Sequence, residues 1–181
     1  MANFAFNIGS TNDLQNDLAA IDVGGADAGA GNTYTFTFTQ SVTLTQQLYA
    51  VNLTDRTSTL TINGNNATLS GNNLYNGLFV YNGTVNVNNL TISNAVAAGG
   101  AGGNSTQGGG GGGGAGLGGG LFVAGTNATA VGATSTTAGG AVTLTNVSFT
   151  QNAAKGGAGG VTSGRGLVGG GGGGLEGGGG G

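Results

Sequence analysis

The residues of this chain that can carry acid–base chemistry are few. They are six carboxylates, three cations and four tyrosines, with no His and no Cys. The Ser-His-Asp and Cys-His nucleophilic arrangements are therefore excluded, as are the common zinc sites. Asp13 and Asp17 stand i, i+4 in "STNDLQNDLAAID", which puts both carboxylates on one helix face. Such a pair reads as a solvated face before it reads as a general acid and base. Asp22, Asp27 and Asn32 in "DVGGADAGAGN" are oxygen donors of the kind calcium takes. The segment is not repeated, and a plain loop is the expectation. Asp55 and Arg56 stand alone and read as a surface turn. No Gly-Lys-Ser/Thr closes the glycine runs, so they are not phosphate loops. Tyr49, Tyr75 and Tyr81 are the only candidates to line a sugar-binding groove. The expectation is thus a non-catalytic chain without cofactor or metal.

Composition narrows the class further. Of 181 residues, 45 are Gly and none is Pro or Trp, and only 5% are charged, with a net charge of −3. Scattered cations at this density cannot neutralise a phosphate backbone, so nucleic acid is not an expected partner. No apolar run approaches the length of a membrane span. The start, "MANFAFN", lacks the basic and apolar regions of a signal peptide, so an exported product would have its leader outside this sequence.

The elements that must position these residues follow from periodicity. Over residues 9–22, Leu14, Leu18 and Ile21 form one apolar stripe behind a Ser10 or Thr11 cap, with Gly24 and Gly25 as the stop. From Thr33 the period changes to two: "TYTFTFT", "SVTLTQQLYAVNL", "STLTINGNNATLSG" and "NGLFVYNGTVNVNNLTISNA" predict short strands split by Asn and Gly.

A repeat then sets the architecture. "GTVNVNNLTISNAVAAGGAGG" from Gly83 returns as "GAVTLTNVSFTQNAAKGGAGG" from Gly140, 57 residues on and without a gap. "GLFV" recurs only 43 residues on, from Gly77 to Gly120, so residues 126–139 read as an inserted loop. Three short strands per unit joined by tight turns predict stacked parallel windings, whose inward side chains are buried only by their neighbours. Asn at the turns tolerates left-handed backbone and can form ladders along the stack.

The opening helix, "YTFTFTQSVTLTQQLYAV", "STLTINGNNATLSG" and the later "GGLFV … GAVTLTNVSFTQNAA" units resemble bacterial autotransporter passengers and polymorphic outer-membrane adhesins. The resemblance covers most of residues 9–160. It implies an all-β, right-handed parallel β-helix of the pectin-lyase-like type with a short N-terminal α-helical cap. It also implies a structural or adhesive segment, an adhesin, stalk or filament, that is extracellular or on a bacterial cell surface. Host or surface glycans, or the chain itself through end-to-end or lateral assembly, are the partners it suggests. The chain departs from that family in its long glycine tracts and in having no C-terminal membrane barrel.

On this basis residues 1–32 form an N-terminal segment and capping helix, and 33–98 the first coils. Residues 99–120 are a Gly-rich excursion, 121–155 a further coil, and 156–181 a Gly-rich C-terminal segment. The end lacks an evident cap, which implies a fragment or a cap from another subunit. The glycine tracts are expected either as flexible loops or as a docked polyglycine-II-type bundle pinned by Leu117, Leu167 and Leu175. Seven Asn-x-Ser/Thr sequons begin at Asn52, Asn66, Asn82, Asn89, Asn104, Asn127 and Asn146, and in so Asn- and Thr-rich a chain no glycan is expected from them. Thr33, Thr35, Thr37 and Thr39 along one strand raise an ice-binding alternative, with Thr43, Thr45, Thr59 and Thr61 as only partial repetition.

Overall fold

The computed structural model describes residues 1–106, 108–125, 139–161 and 163. It is mainly β, with parallel sheets and one N-terminal helix. Most of the expected insertion 126–139 and most of the C-terminal segment, with Leu167 and Leu175, lie outside the described residues.

The chain opens with a strand that the sequence pattern does not announce, β1 (Asn3–Ile8). Phe4, Phe6 and Ile8 alternate there with polar or small residues, which suits a half-buried strand. The helix α1 (Thr11–Ile21) follows. Ser10 is its cap, with its side chain accepting a hydrogen bond from the Asp13 amide at 3.2 Å. The Asp13 carboxylate accepts in return from the Gly9 amide at 3.0 Å. Leu14, Leu18 and Ile21 are buried, so the stripe read from the sequence is the packed face. Polar ties hold the helix in place. Thr11 Oγ1 donates to the Thr43 carbonyl, and the Gln15 side chain bonds the Gln47 carbonyl and the Tyr49 amide. Ser10→Ala removes the cap acceptor and should cost about 1 kcal/mol, read as a lower urea midpoint. An unchanged midpoint would mean that the buried stripe and the other polar ties hold α1 without the cap.

The remaining strands are β2 (Thr33–Phe38), β3 (Val42–Thr43), β4 (Val51–Asn52), β5 (Thr59–Asn63), β6 (Thr68–Ser70) and β7 (Leu78–Asn88). After them come β8 (Thr91–Ser93), β9 (Val96–Ala98), β10 (Leu121–Val123), β11 (Gly140–Thr145), β12 (Ser148–Thr150) and β13 (Ala153–Lys155). Every pairing among them is parallel. One ladder runs β1-β2-β5-β7-β11, a second β3-β6-β8-β12, and a third joins β9 to β13. β7 serves two ladders. Its first part pairs with β4 and β10, and its second part pairs with β5 and β11. Gly83 marks the change with φ 106°, and a Cβ there would meet the Leu53 side chain at 2.7 Å. Glycine alone suits both conditions.

Because each ladder is in register, apolar residues stack on apolar residues. Phe6, Phe36, Ile62, Val87 and Leu144 form one column, and Val42, Leu69, Ile92 and Phe149 another. Phe36, Val87, Leu69 and Ile92 are fully buried, while Leu144 and Phe149 in the last members are 42% and 44% exposed. The 57-residue repeat is a physical superposition. Asn146 donates to Asn89 Oδ1, Asn152 Oδ1 accepts from the Ala95 amide, and Asn82 Oδ1 accepts from the Gly139 amide, each across 57 residues. Asn65, Asn66, Asn72, Asn73, Asn89, Asn94 and Asn146 take positive φ at the turns, as expected of Asn.

The glycine tracts are hydrogen-bonded to one another. The amides of Gly99, Gly102 and Ser105 donate to the carbonyls of Lys155, Ala158 and Val161 at 2.8–3.0 Å. Those of Gly157 and Gly160 donate to Gly114 and Gly111, whose own amides donate to Gly100 and Gly103. Three segments thus bond in a closed cycle, with the middle one antiparallel to the other two. Donors recur every third residue, the period of a polyproline II helix. Leu117, expected as an apolar pin, is instead 36% exposed. Among the described residues, backbone bonds tie these segments together.

Candidate functional site

The carboxylates singled out by spacing serve the backbone. Asp13 belongs to the helix cap, and the Gly9 amide and then the Ser10 hydroxyl hold its carboxyl below the ordinary value. Asp17, on the same helix face, is pushed up by burial and then by the charges of Asp13 and Asp27. The Asp22 carboxylate accepts from the Val23 amide, and Asn32 is tied to the Ala2 amide and the Asp27 carbonyl. Among the described residues no three His, Cys, Asp or Glu side chains come together as a metal would need.

Asp55 is a turn organiser. It accepts from the Ser58 amide at 2.7 Å and from the Ser58 and Thr57 hydroxyls at 2.8 and 2.9 Å. The Ser58 hydroxyl, ahead of the other donors, holds the Asp55 carboxyl below its ordinary value. A depressed folded pKa contributes stability above the unfolded value of about 4, and the contribution is lost as pH falls through the folded value. Asp55→Ala should therefore lower Tm at neutral pH, with the deficit closing as pH drops below about 4. Melts across that range check it, and a deficit constant with pH would refute it. Asp17 has the opposite sign: its ionised form weakens the fold, and protonation in acid relieves this.

The three tyrosines are not gathered into a groove by any ring contact among the described residues. Tyr49 is 56% exposed, with its amide bonded to Gln15. The Tyr75 hydroxyl donates to the Thr45 carbonyl. Tyr81 alone joins an aromatic group, edge-on to Phe79 at 6.4 Å, and Phe79 meets Phe122 at 5.1 Å. Phe79 and Phe122 are directly paired residues of β7 and β10. The "GLFV" repeat 43 residues apart is the sequence signal for that pair. At Tyr81 the pairing of β4 with β7 shifts register, since Val51 pairs with Val80 and Asn52 with Asn82, and Tyr81, the extra residue, is exposed.

The ladder β1-β2-β5-β7-β11 joins five strands in parallel, and its outward side is a continuous surface. Its rows read Asn3, Thr33, Thr59, Thr84, Ala141 in one column and Ala5, Thr35, Thr61, Asn86, Thr143 in the next, so alanine interrupts the array in the β1 and β11 rows. A third column is Asn7, Thr37, Asn63, Asn88, Thr145. Thr59 and Thr61 thus continue the array begun by "TYTFTFT", whereas Thr43 belongs to the other ladder. None of these residues is charged. Asn88 donates to Asn63 and Thr84 to the Arg56 carbonyl. The hydroxyls of Thr35, Thr37, Thr59 and Thr61 have no protein partner among the described residues. Among those residues, no helix is long and apolar enough to cross a membrane. Comparison with protein-family models, with curated proteins and with solved structures returns no match.

Proposed function

We propose that this chain is a structural and adhesive segment of a bacterial cell-surface or secreted protein, built as a right-handed parallel β-helix. It carries no catalysis. Its work is rigid extension and display. The observation that carries the reading is the 57-residue superposition, in which β7, β8 and β9 pair in register with β11, β12 and β13. Rows that bury each other only by stacking make a rod, whose length grows with the number of rows. α1 serves as the lid of the first coil. The three glycine segments form a polyglycine-II-type bundle along the rod, a backbone-only brace presenting little side-chain chemistry. The likeness of the strand units to autotransporter passengers supports surface display.

Negative-stain electron microscopy of the purified chain tests the reading. Monodisperse, stiff particles are expected. Long filaments would replace it with a self-assembling fibre subunit, for which the exposed Leu144 and Phe149 would be the contact. A second reading, glycan binding, is favoured by the half-exposed Phe79–Phe122 pair with Tyr81, since sugar rings stack on aromatic faces. Loss of glycan retention on Phe122→Ala would support it.

A further inference from the structure

We propose that the outward Thr/Asn face of β1, β2, β5, β7 and β11 binds ice, with a crystalline water layer as its ligand. This goes beyond the display reading and does not depend on it. Parallel in-register pairing sets the rows about 4.8 Å apart, and alternate residues along each strand about 6.6 Å apart. The side chains therefore sit on a two-dimensional grid with distances on the scale of a water lattice. A dissolved ligand has no such periodicity, but a crystal surface has.

The chemistry fits the same ligand. Each threonine offers a hydroxyl that can anchor one water and a methyl group beside it that leaves neighbouring waters to bond one another. The hydroxyls of Thr35, Thr37, Thr59 and Thr61 have no partner among the described residues. Charged groups would hold their own hydration shells against a lattice, and the array has none. No aromatic ring lies in it, which separates it from the Phe79–Phe122 group and argues against a sugar. Rigidity comes from beneath: Tyr34, Phe36, Leu60, Ile62, Val85 and Val87, which alternate with these residues, are all buried. The register shift opposite Tyr81 belongs to another ladder and leaves the grid regular.

The test is partition of the full chain between slowly growing ice and the remaining liquid. Thr61→Lys puts a charge at the centre of the face, and Thr143→Lys puts one at an exposed position of the last described row. Thr68→Lys places the same charge on the other ladder as a control. Circular dichroism verifies that each variant keeps its strands. Enrichment of the parent and of Thr68→Lys in the ice, with loss of enrichment in the two face variants, is the expected result. Exclusion of the parent from the ice would overturn the proposal, as would equal enrichment of all four proteins. Retention on a soluble oligosaccharide that Thr61→Lys abolishes, without enrichment in ice, would assign the face to a sugar and overturn it too.

Discussion

Gly113→Ala should strip amide-exchange protection from Gly111, Gly114, Gly157 and Gly160 together, although it touches no side chain. A Cβ on Gly113 would lie 2.1 Å from the Gly157 carbonyl oxygen, and one on Gly157 would lie 1.9 Å from that of Gly100. Neither neighbour is a flexible side chain that can swing away. The segments must separate, and the cyclic hydrogen bonds open with them. Forced overpacking of this kind costs about 1–3 kcal/mol. At Gly100 and Gly103, in the same bundle, an added Cβ would meet nothing within 4 Å. Gly100→Ala should therefore leave protection intact and, by restricting the unfolded chain, stabilise by about 0.4–1 kcal/mol. Hydrogen exchange followed by mass spectrometry distinguishes the two variants. Equal effects would mean that the tracts do not hold one another.

Phe36→Ala should be the most damaging single truncation. Its ring is 0% exposed and meets Phe6 edge-to-face at 5.4 Å, with Ile62 next in the column. Deleting a ring from such a site costs about 3–5 kcal/mol, against about 5–15 kcal/mol for a whole domain. The same truncation at Leu144, 42% exposed in the last row, should cost far less. Urea denaturation of the two variants gives the comparison. Similar midpoints would mean that the interior column is not the source of stability.

The alternation of Thr with Tyr34, Phe36 and Phe38 makes the strand β2 legible in the sequence, and the stripe Leu14, Leu18, Ile21 does the same for α1. The 57-residue repeat foretells the pairing of β7 with β11 to the residue. β1 is not legible in the same way, because "NFAFNI" precedes a helix and reads as a leader to it. The Thr/Asn face is only half visible. Its successive rows are separated by 30, 26, 25 and 57 residues, so no single offset reveals the columns. The aromatic group escapes a sequence reading because tyrosines suggest a groove and phenylalanines an interior. Phe79 and Phe122 nevertheless sit on the outward side of β7 and β10. The glycine array is legible as a composition but not as a geometry. Its order lies in which amide meets which carbonyl, and glycine leaves no side-chain pattern to record that.

The in-register stacking has a genetic consequence. Among the described residues, each member of a ladder pairs in parallel with the member before it and the member after it. Unequal crossing-over that copies one 57-residue unit would therefore insert strands that repeat the pairing residues of β7, β8 and β9, and so match the ladders on either side.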